Sequence, residues 1–250
     1  MKVKNNTILI TGGAMGIGFA MAQVFYKAGN TVIICGRRQG KLEEAQHILP
    51  GLHVRACDVT KDSERKLLFK WISESFKGLN VLINNAGIQR MIDMKKGAGG
   101  LVGGEDEIQT NLVAPIWMSA YFIPLLMKQK EAAVINVSSG LGFVPIASMP
   151  VYCATKSALH SFTMSLRHQL KDTAIKVFEV IPPMVDTELA KDLVEGEGEW
   201  DRGIPPAEVA EVVLASLEED RFEIAVGDAE GLVIGSRTDP EQTFKNLNDW

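Results

Sequence analysis

Cysteine and histidine are scarce in this chain of 250 residues. Three cysteines, Cys35, Cys57 and Cys153, are an odd number without a framework of spacings, and with four scattered histidines they supply no zinc-ligand pattern. A disulfide-stapled fold and a metal centre are therefore poor starting points, and a reducing, cytoplasmic compartment suits the thiols. A bilayer-spanning run is also missing. The uncharged stretch 112–127 has only 16 residues and contains Pro115, Ser119 and Pro124, short of the ~18 to 20 a span requires. The basic start and the Ala20-Met21-Ala22 sequence imitate a secretory signal, but Thr11-Gly12-Gly13 interrupts the apolar stretch where that signal needs it unbroken. A basic stripe is missing too. Residues 1–185 carry 21 basic and 13 acidic side chains, and residues 186–250 carry 5 and 18, so the net charge of −5 hides an acidic C-terminal region. Scattered lysines without interleaved aromatics exclude a nucleic-acid partner as the leading reading.

What is present is an ordinary globular composition, 46% apolar and 23% charged. At about 150 residues per domain the length allows one or two domains, and we expect a single one over 1–250. Apolar, β-branched runs at 7–10, 31–35, 53–57, 80–83, 133–137, 176–181 and 223–226 predict seven strands. They show no polar alternation, as expected of strands covered on both faces. Stretches of helical period at 16–28, 41–49, 62–76, 105–128, 151–171 and 206–217 separate them. The pattern predicts an α/β fold, a doubly wound three-layer α/β/α Rossmann sandwich on a seven-stranded parallel sheet. Two glycine-containing connections, 96–104 and 188–203, are long for such a domain, and the second is the expected substrate lid.

Ligands of such sheets bind beyond the carboxyl ends of the strands. There Thr11-Gly12-Gly13-Ala14-Met15-Gly16-Ile17-Gly18 joins the first strand to the first helix. Glycines 12, 16 and 18 permit a tight turn and let the backbone N–H groups around Met15, Gly16 and Ile17 approach a pyrophosphate at the helix N-terminus. The Walker pattern would need a Lys-Ser/Thr pair, which is absent. After the second strand comes Cys35-Gly36-Arg37-Arg38, with no carboxylate before Glu43. An acid there would hold the 2′-hydroxyl of NAD, whereas Arg37 and Arg38 would attract a 2′-phosphate, so NADP(H) is favoured over NAD(H).

Tyr152 is one of only three tyrosines, and Lys156 follows it by one helical turn on the same face. A phenol of pKa about 10 is a sluggish acid near neutrality, and an ammonium about 4 Å away could lower it by about 3 units. Ser138 and Ser139 end the fifth strand, where a hydroxyl could meet a carbonyl oxygen or merely satisfy the turn. Asn84-Asn85-Ala86-Gly87 ends the fourth strand, again as a turn or as a functional corner. Asn111 sits inside a predicted helix, where asparagine is disfavoured, so either functional strain or surface exposure accounts for it.

In this order and spacing, the residues resemble the short-chain dehydrogenase/reductase family over nearly the whole chain; the wording of 105–189 resembles the reductases of the DltE type, a name that fixes no substrate. The resemblance implies that Ser139, Tyr152, Lys156 and Asn111 are catalytic: Tyr152 as proton donor, Lys156 lowering its pKa and holding the nicotinamide ribose, and Asn111 holding a relay water. It further implies adenine contacts at Asp58 and Val59, a supporting turn at Asn85, Ala86 and Gly87, and nicotinamide contacts at Pro182, Val185 and Thr187. Pro183 departs from the family's usual Pro-Gly. The expected function is hydride transfer between NADP(H) and a small carbonyl or alcohol substrate, in a homodimer or homotetramer. The alternatives are a 3-oxoacyl thioester reductase meeting an acidic carrier protein through Lys128, Lys130 and Arg167, and a catalytically silent dinucleotide-binding protein. Cys153 reads as a packing residue. Met91, Phe143, Met149, Met184, Leu189, Leu193 and Trp200 fall in connections around the substrate.

Overall fold

The computed structural model describes residues 1–191 and 202–249. Of the expected lid at 188–203, residues 192–201, with Leu193, Trp200 and the acids Glu195, Glu197, Glu199 and Asp201, lie outside the described residues. Seven strands, β1 (Thr7–Thr11), β2 (Thr31–Gly36), β3 (His53–Ala56), β4 (Leu79–Asn84), β5 (Ala132–Val137), β6 (Ile175–Ile181) and β7 (Glu223–Ala225), form one sheet in the order β3-β2-β1-β4-β5-β6-β7. All neighbours run parallel.

Successive side chains enter different layers, and because helices cover both faces, both are mostly apolar. Ile8, Ile10, Val32, Ile34, Val81 and Ile83 pack with Met21, Phe25, Leu42, Val209 and Val213, so α1 (Gly16–Lys27), α2 (Gln39–Ile48) and α8 (Pro206–Glu218) cover that side. Leu9, Ile33, Leu82 and Val134 pack with Leu68, Ile72, Met118, Phe122 and Leu166, which places α3 (Asp62–Ser75), α5 (Ala114–Leu126) and α6 (Pro150–Gln169) on the other side. The chain winds outward from β1 through β2 to β3, then returns to β4 on the opposite side of β1. The carboxyl ends of β1 and β4 therefore diverge and leave a crevice.

Three differences from the predicted elements matter. The helix expected over 105–128 is three pieces: α4 (Gly104–Ile108), a π-helical turn (Gln109–Val113) and α5. Pro115 lacks the amide that would close onto the Asn111 carbonyl, and a local widening of the helix accommodates it. The connection 96–104 contains a 3₁₀ segment, Met94–Leu101, entered through Asp93, whose Oδ1 accepts from the Lys95 amide at 3.0 Å, and kinked at Gly97. Besides the short α7 (Glu188–Lys191), two helices not anticipated, α9 (Ala229–Thr238) and α10 (Pro240–Asn248), follow β7. Among the described residues no helix is long and apolar enough to cross a membrane; the run 112–127 is instead α5, with Met118, Phe122 and Leu126 buried against the sheet.

Candidate active site

The β1–α1 connection and the end of β4 lock together at the crevice. Thr11 Oγ1 accepts from the amides of Asn85 (3.0 Å) and Ala86 (3.1 Å), and Asn85 Nδ2 donates to the carbonyls of Thr11 (3.0 Å) and Gly12 (3.2 Å). Gly12 and Gly16 take φ of +63° and +53°, the left-handed region that a side chain would strain. A Cβ on Gly18 would stand 2.4 Å from both Asn85 Nδ2 and the Gly12 carbonyl oxygen, so this glycine serves the packing of helix against turn and does not line the cleft. Among the described residues no side chain caps the N-terminus of α1, and no acid occupies its first turn. Its first N–H groups thus offer an unclaimed, positively polarised cradle, of the kind that fits a pyrophosphate.

From this cradle a cleft of about 620 Å³ runs both ways. Toward β2 and β3 it is lined by Gly36, Arg37, Arg38, Lys41, Asp58 and Val59, and toward β5 and β6 by Asn85, Ala86, Gly87, Tyr152, Lys156, Pro182 and Thr187. Arg38 is already engaged: Nη1 pairs with Glu188 at 3.0 Å across the cleft mouth, and Nη2 lies against the Met15 sulfur. Arg37 is exposed, and its charge reaches Asp58. Partial burial pushes the Asp58 carboxyl up, but bonds from the Thr60 hydroxyl (2.7 Å) and amide (3.0 Å), with Arg37 and Lys61 nearby, outweigh it and hold the group below its ordinary value. Lys41 was not anticipated as a lining residue; its place one turn into α2, behind the two arginines, was the available signal.

Tyr152 stands in the first turn of α6, which Pro150 opens. It is 6% exposed and Lys156 is 4% exposed. Lys156 Nζ donates to the Val137 carbonyl at 2.8 Å and lies 5.6 Å from the centre of the Tyr152 ring. Burial sets the balance at both groups. Burial pushes the Tyr152 hydroxyl up to about 12, the Ser139 hydroxyl offsets only part of that, and Cys153 and Glu107 push it further. Burial also brings the Lys156 ammonium down to about 8, against the opposing influence of Glu179. Within the chain's own atoms, desolvation dominates both groups.

Ser139 is the N-cap of a 3₁₀ turn, Gly140–Gly142, and its Oγ accepts from the Leu141 amide at 3.1 Å, leaving its own O–H to donate elsewhere. Ser138 bonds back to the Val180 carbonyl with both amide (2.8 Å) and hydroxyl (3.3 Å), as a structural serine does. Asn111 is 1% exposed, which removes surface exposure as the explanation of an asparagine in a helix. Its Oδ1 accepts from the Ile88 amide (2.9 Å), and its Nδ2 donates to the Ile88 carbonyl (2.8 Å) and to Thr155 Oγ1 (3.2 Å), tying the segment after β4 to α6. Asn111, Ser139 and Val185 do not line the cleft. Val185 is buried in the core beside Ile204, and its bridge to Ile204 pins this stretch from outside the sheet. The Cys153 thiol is pushed up by burial and packs with Met149 and Tyr152.

Sequence reasoning missed two buried acids. Glu107, fully buried on α4, accepts the Arg90 amide at 2.9 Å, and burial raises its carboxyl. Glu179, fully buried on β6, faces His160 at 2.8 Å. His160, Glu179 and Glu223 bring ligand-type atoms within 4.8 Å of one another, but Arg237 takes both Glu223 oxygens (2.7 and 2.8 Å), so Glu223 is committed to an ion pair.

A parallel doubly wound sheet with a glycine cradle and a buried Tyr–Lys pair at one switch-point cleft defines a Rossmann-type protein of the oxidoreductase class. The chain belongs to the short chain dehydrogenase family, whose model matches residues 6–198. It is 48% identical over 248 residues to an uncharacterized oxidoreductase, DltE, of Bacillus subtilis, covering 99% of this chain and 98% of that one. It is 30% identical over 215 residues to an uncharacterized oxidoreductase of Staphylococcus aureus, covering 85% and 91%. Among solved structures, a short chain dehydrogenase from Burkholderia cenocepacia in complex with NADP superposes with a TM-score of 0.84 at 25% identity over 99% of both chains. A short chain dehydrogenase/reductase from Burkholderia phymatum in complex with NAD gives 0.84 at 20% identity, covering 99% of this chain and 97% of that one, a likeness of fold.

Proposed function

We propose that the protein is an NADP(H)-dependent carbonyl reductase or alcohol dehydrogenase, with Tyr152 as its general acid and base. One observation carries the reading: the Gly12–Ile17 cradle, Arg37 and the Tyr152–Lys156 pair line one continuous cleft. The amides around Met15, Gly16 and Ile17 would hold the pyrophosphate, Asp58 and Val59 the adenosine end, and Pro182 and Thr187 the nicotinamide end, with Val185 packed behind them in the core. With Arg38 engaged by Glu188, Arg37 is the residue assigned to the 2′-phosphate. Bound NADP(H) supplies the hydride donor or acceptor. Tyr152 Oη passes a proton to or from the substrate oxygen, the Ser139 O–H donates to that oxygen as charge develops, and Lys156 keeps a positive charge beside the phenol. Asn111 holds the segment after β4 against α6 and, by the family resemblance, a relay water. Assembly as a homodimer or homotetramer is proposed on the same resemblance.

A screen of aldehydes, ketones, sugars and keto acids, read by NADPH oxidation, identifies the substrate class. On any substrate found, Tyr152→Phe should lose about 10³-fold in kcat, within the range expected of a general acid, while binding NADPH within about twofold of the parent, since the change removes one hydroxyl and leaves the cradle intact. Full activity in that variant would refute the assignment.

A further inference from the structure

The α6-facing side of the sheet carries a polar row that runs straight across four strands. Asn84 on β4 pairs in register with Asn136 on β5, Asn136 with Glu179 on β6, and Glu179 with Glu223 on β7. Among the asparagines, Asn84 Nδ2 donates to Asn136 Oδ1 at 2.8 Å and Asn136 Nδ2 to Thr163 Oγ1 on α6 at 2.8 Å, while Asn84 Oδ1 is left without a partner among the described residues. Glu179 is the acid of the row nearest Lys156 in the strand register. It is fully buried, one of its oxygens meets His160 Nδ1 at 2.8 Å, and the other has no hydrogen-bond partner among the described residues. A buried carboxylate left half-bonded costs stability unless its charge serves a neighbour.

That neighbour is Lys156. His160 lies one turn beyond it on α6, and the lysine head group bonds the carbonyl of Val137, whose partner across the sheet is Val180. The Val137–Val180 rung is adjacent to the Asn136–Glu179 rung, so the ammonium sits about one rung, roughly 3.3 Å of strand rise, from the level of the acid. We propose that Glu179 is a positioning residue for the reaction: from beneath α6 it holds the Lys156 head group in its charged form beside Tyr152. The influence of Glu179 on the lysine is indeed the one that opposes burial. The other charged or titratable groups around Glu179 are His160 and Arg167 on α6, Glu223 on β7 and Arg237 on α9; Arg167 is spent on the carbonyls of Val177 and Phe222, and the field of Glu179 reaches Arg237.

The inference rests on the proposed catalytic role of Lys156, and two substitutions of opposite sign test it through the high-pH limb of kcat/KM. Glu179→Gln keeps the shape and removes the charge, so the limb should move about one unit toward lower pH. Arg237→Gln, at an exposed side chain, strips a cation that lies in the field of Glu179 and should move the limb by a smaller amount toward higher pH. Thermal melts and NADPH titration report that each variant is folded, and if Glu179→Gln does not fold, Arg237→Gln carries the test alone. A limb that stays in place in every folded variant, or moves opposite to these directions, overturns the inference. With Tyr152→Phe inactive, that result leaves the functional reading standing; an active Tyr152→Phe overturns both.

Discussion

Burial drives Tyr152 and Lys156 toward their neutral forms, the phenol up to about 12 and the ammonium down to about 8, so the proton-bearing phenol is secure at neutral pH while the lysine is poised to lose its charge. Reduction needs both protons in place. As pH rises through about 8 the ammonium is lost first, and kcat/KM for carbonyl reduction should fall by about tenfold per unit above that point; a flat profile to pH 10 would contradict the assignment. The same shift enters stability with a definite sign. Because the folded-state pKa lies below the usual lysine value of 10.5, the unfolded chain binds more protons between about 8 and 10.5, and this group's contribution to stability rises with pH across that window. Lys156→Met, which fills the space without a buried charge, should therefore raise stability at pH 7 by about 2 kcal/mol while abolishing turnover. Denaturant melts check the first effect and NADPH oxidation the second. Gly36 offers a cleaner handle on cofactor choice. A Cβ there meets nothing within 4 Å among the described residues, so Gly36→Asp should leave folding intact and lower the ratio of NADPH to NADH efficiency by at least about tenfold through repulsion of the 2′-phosphate and a new partner for a free 2′-hydroxyl.

At the scale of elements, the cleft depends on how closely α1 approaches the β4 turn. Gly18→Ala would place a methyl 2.4 Å from a backbone oxygen and from Asn85 Nδ2, neither of which can yield without breaking the Thr11–Asn85 lock. NADPH affinity should drop by at least about tenfold and the melting temperature by several degrees, measured by cofactor titration and scanning calorimetry. The strands and the helices before residue 105 were legible because their signals are local: apolar runs covered on both sides, and glycines where β1 must turn into α1. The break in the helix around Asn111 was not, because Pro115 acts on a hydrogen bond four residues away rather than on the periodicity of the apolar face. The helices after β7 escaped for a different reason. Gly231 and Gly235 dilute the pattern of α9, and none of the residues of α10 is buried, although Asp239 before Pro240 does cap α10 through the Gln242 amide at 3.1 Å. The candidate site was legible as a set of residues, and its cleft-lining members converge as the motif order implied. Its electrostatics were not. The fully buried Glu107 and Glu179 influence Tyr152 and Lys156 from distant parts of the chain, and no spacing in the sequence connects them.

Over the whole molecule, the two apolar layers hold a sheet whose reversal at β1 and β4 creates the crevice. Glu188 on α7 reaches back to Arg38 across the cleft mouth, so entry of a dinucleotide should require that ion pair to open or shift. Exposed as both partners are, the pair is worth little by itself, and Glu188→Gln should change NADPH affinity by no more than about threefold, in the direction of tighter binding, with isothermal titration as the check. The central claim is that one cleft carries a dinucleotide from Arg37 to Tyr152. A crystal structure of the protein grown with NADPH measures this most directly. The account predicts the 2′-phosphate against Arg37, the pyrophosphate on the amides opening α1, and the nicotinamide within hydride-transfer reach of a carbonyl bonded to Tyr152 Oη. A cofactor bound elsewhere, or one whose nicotinamide lies away from Tyr152 and Lys156, would contradict it.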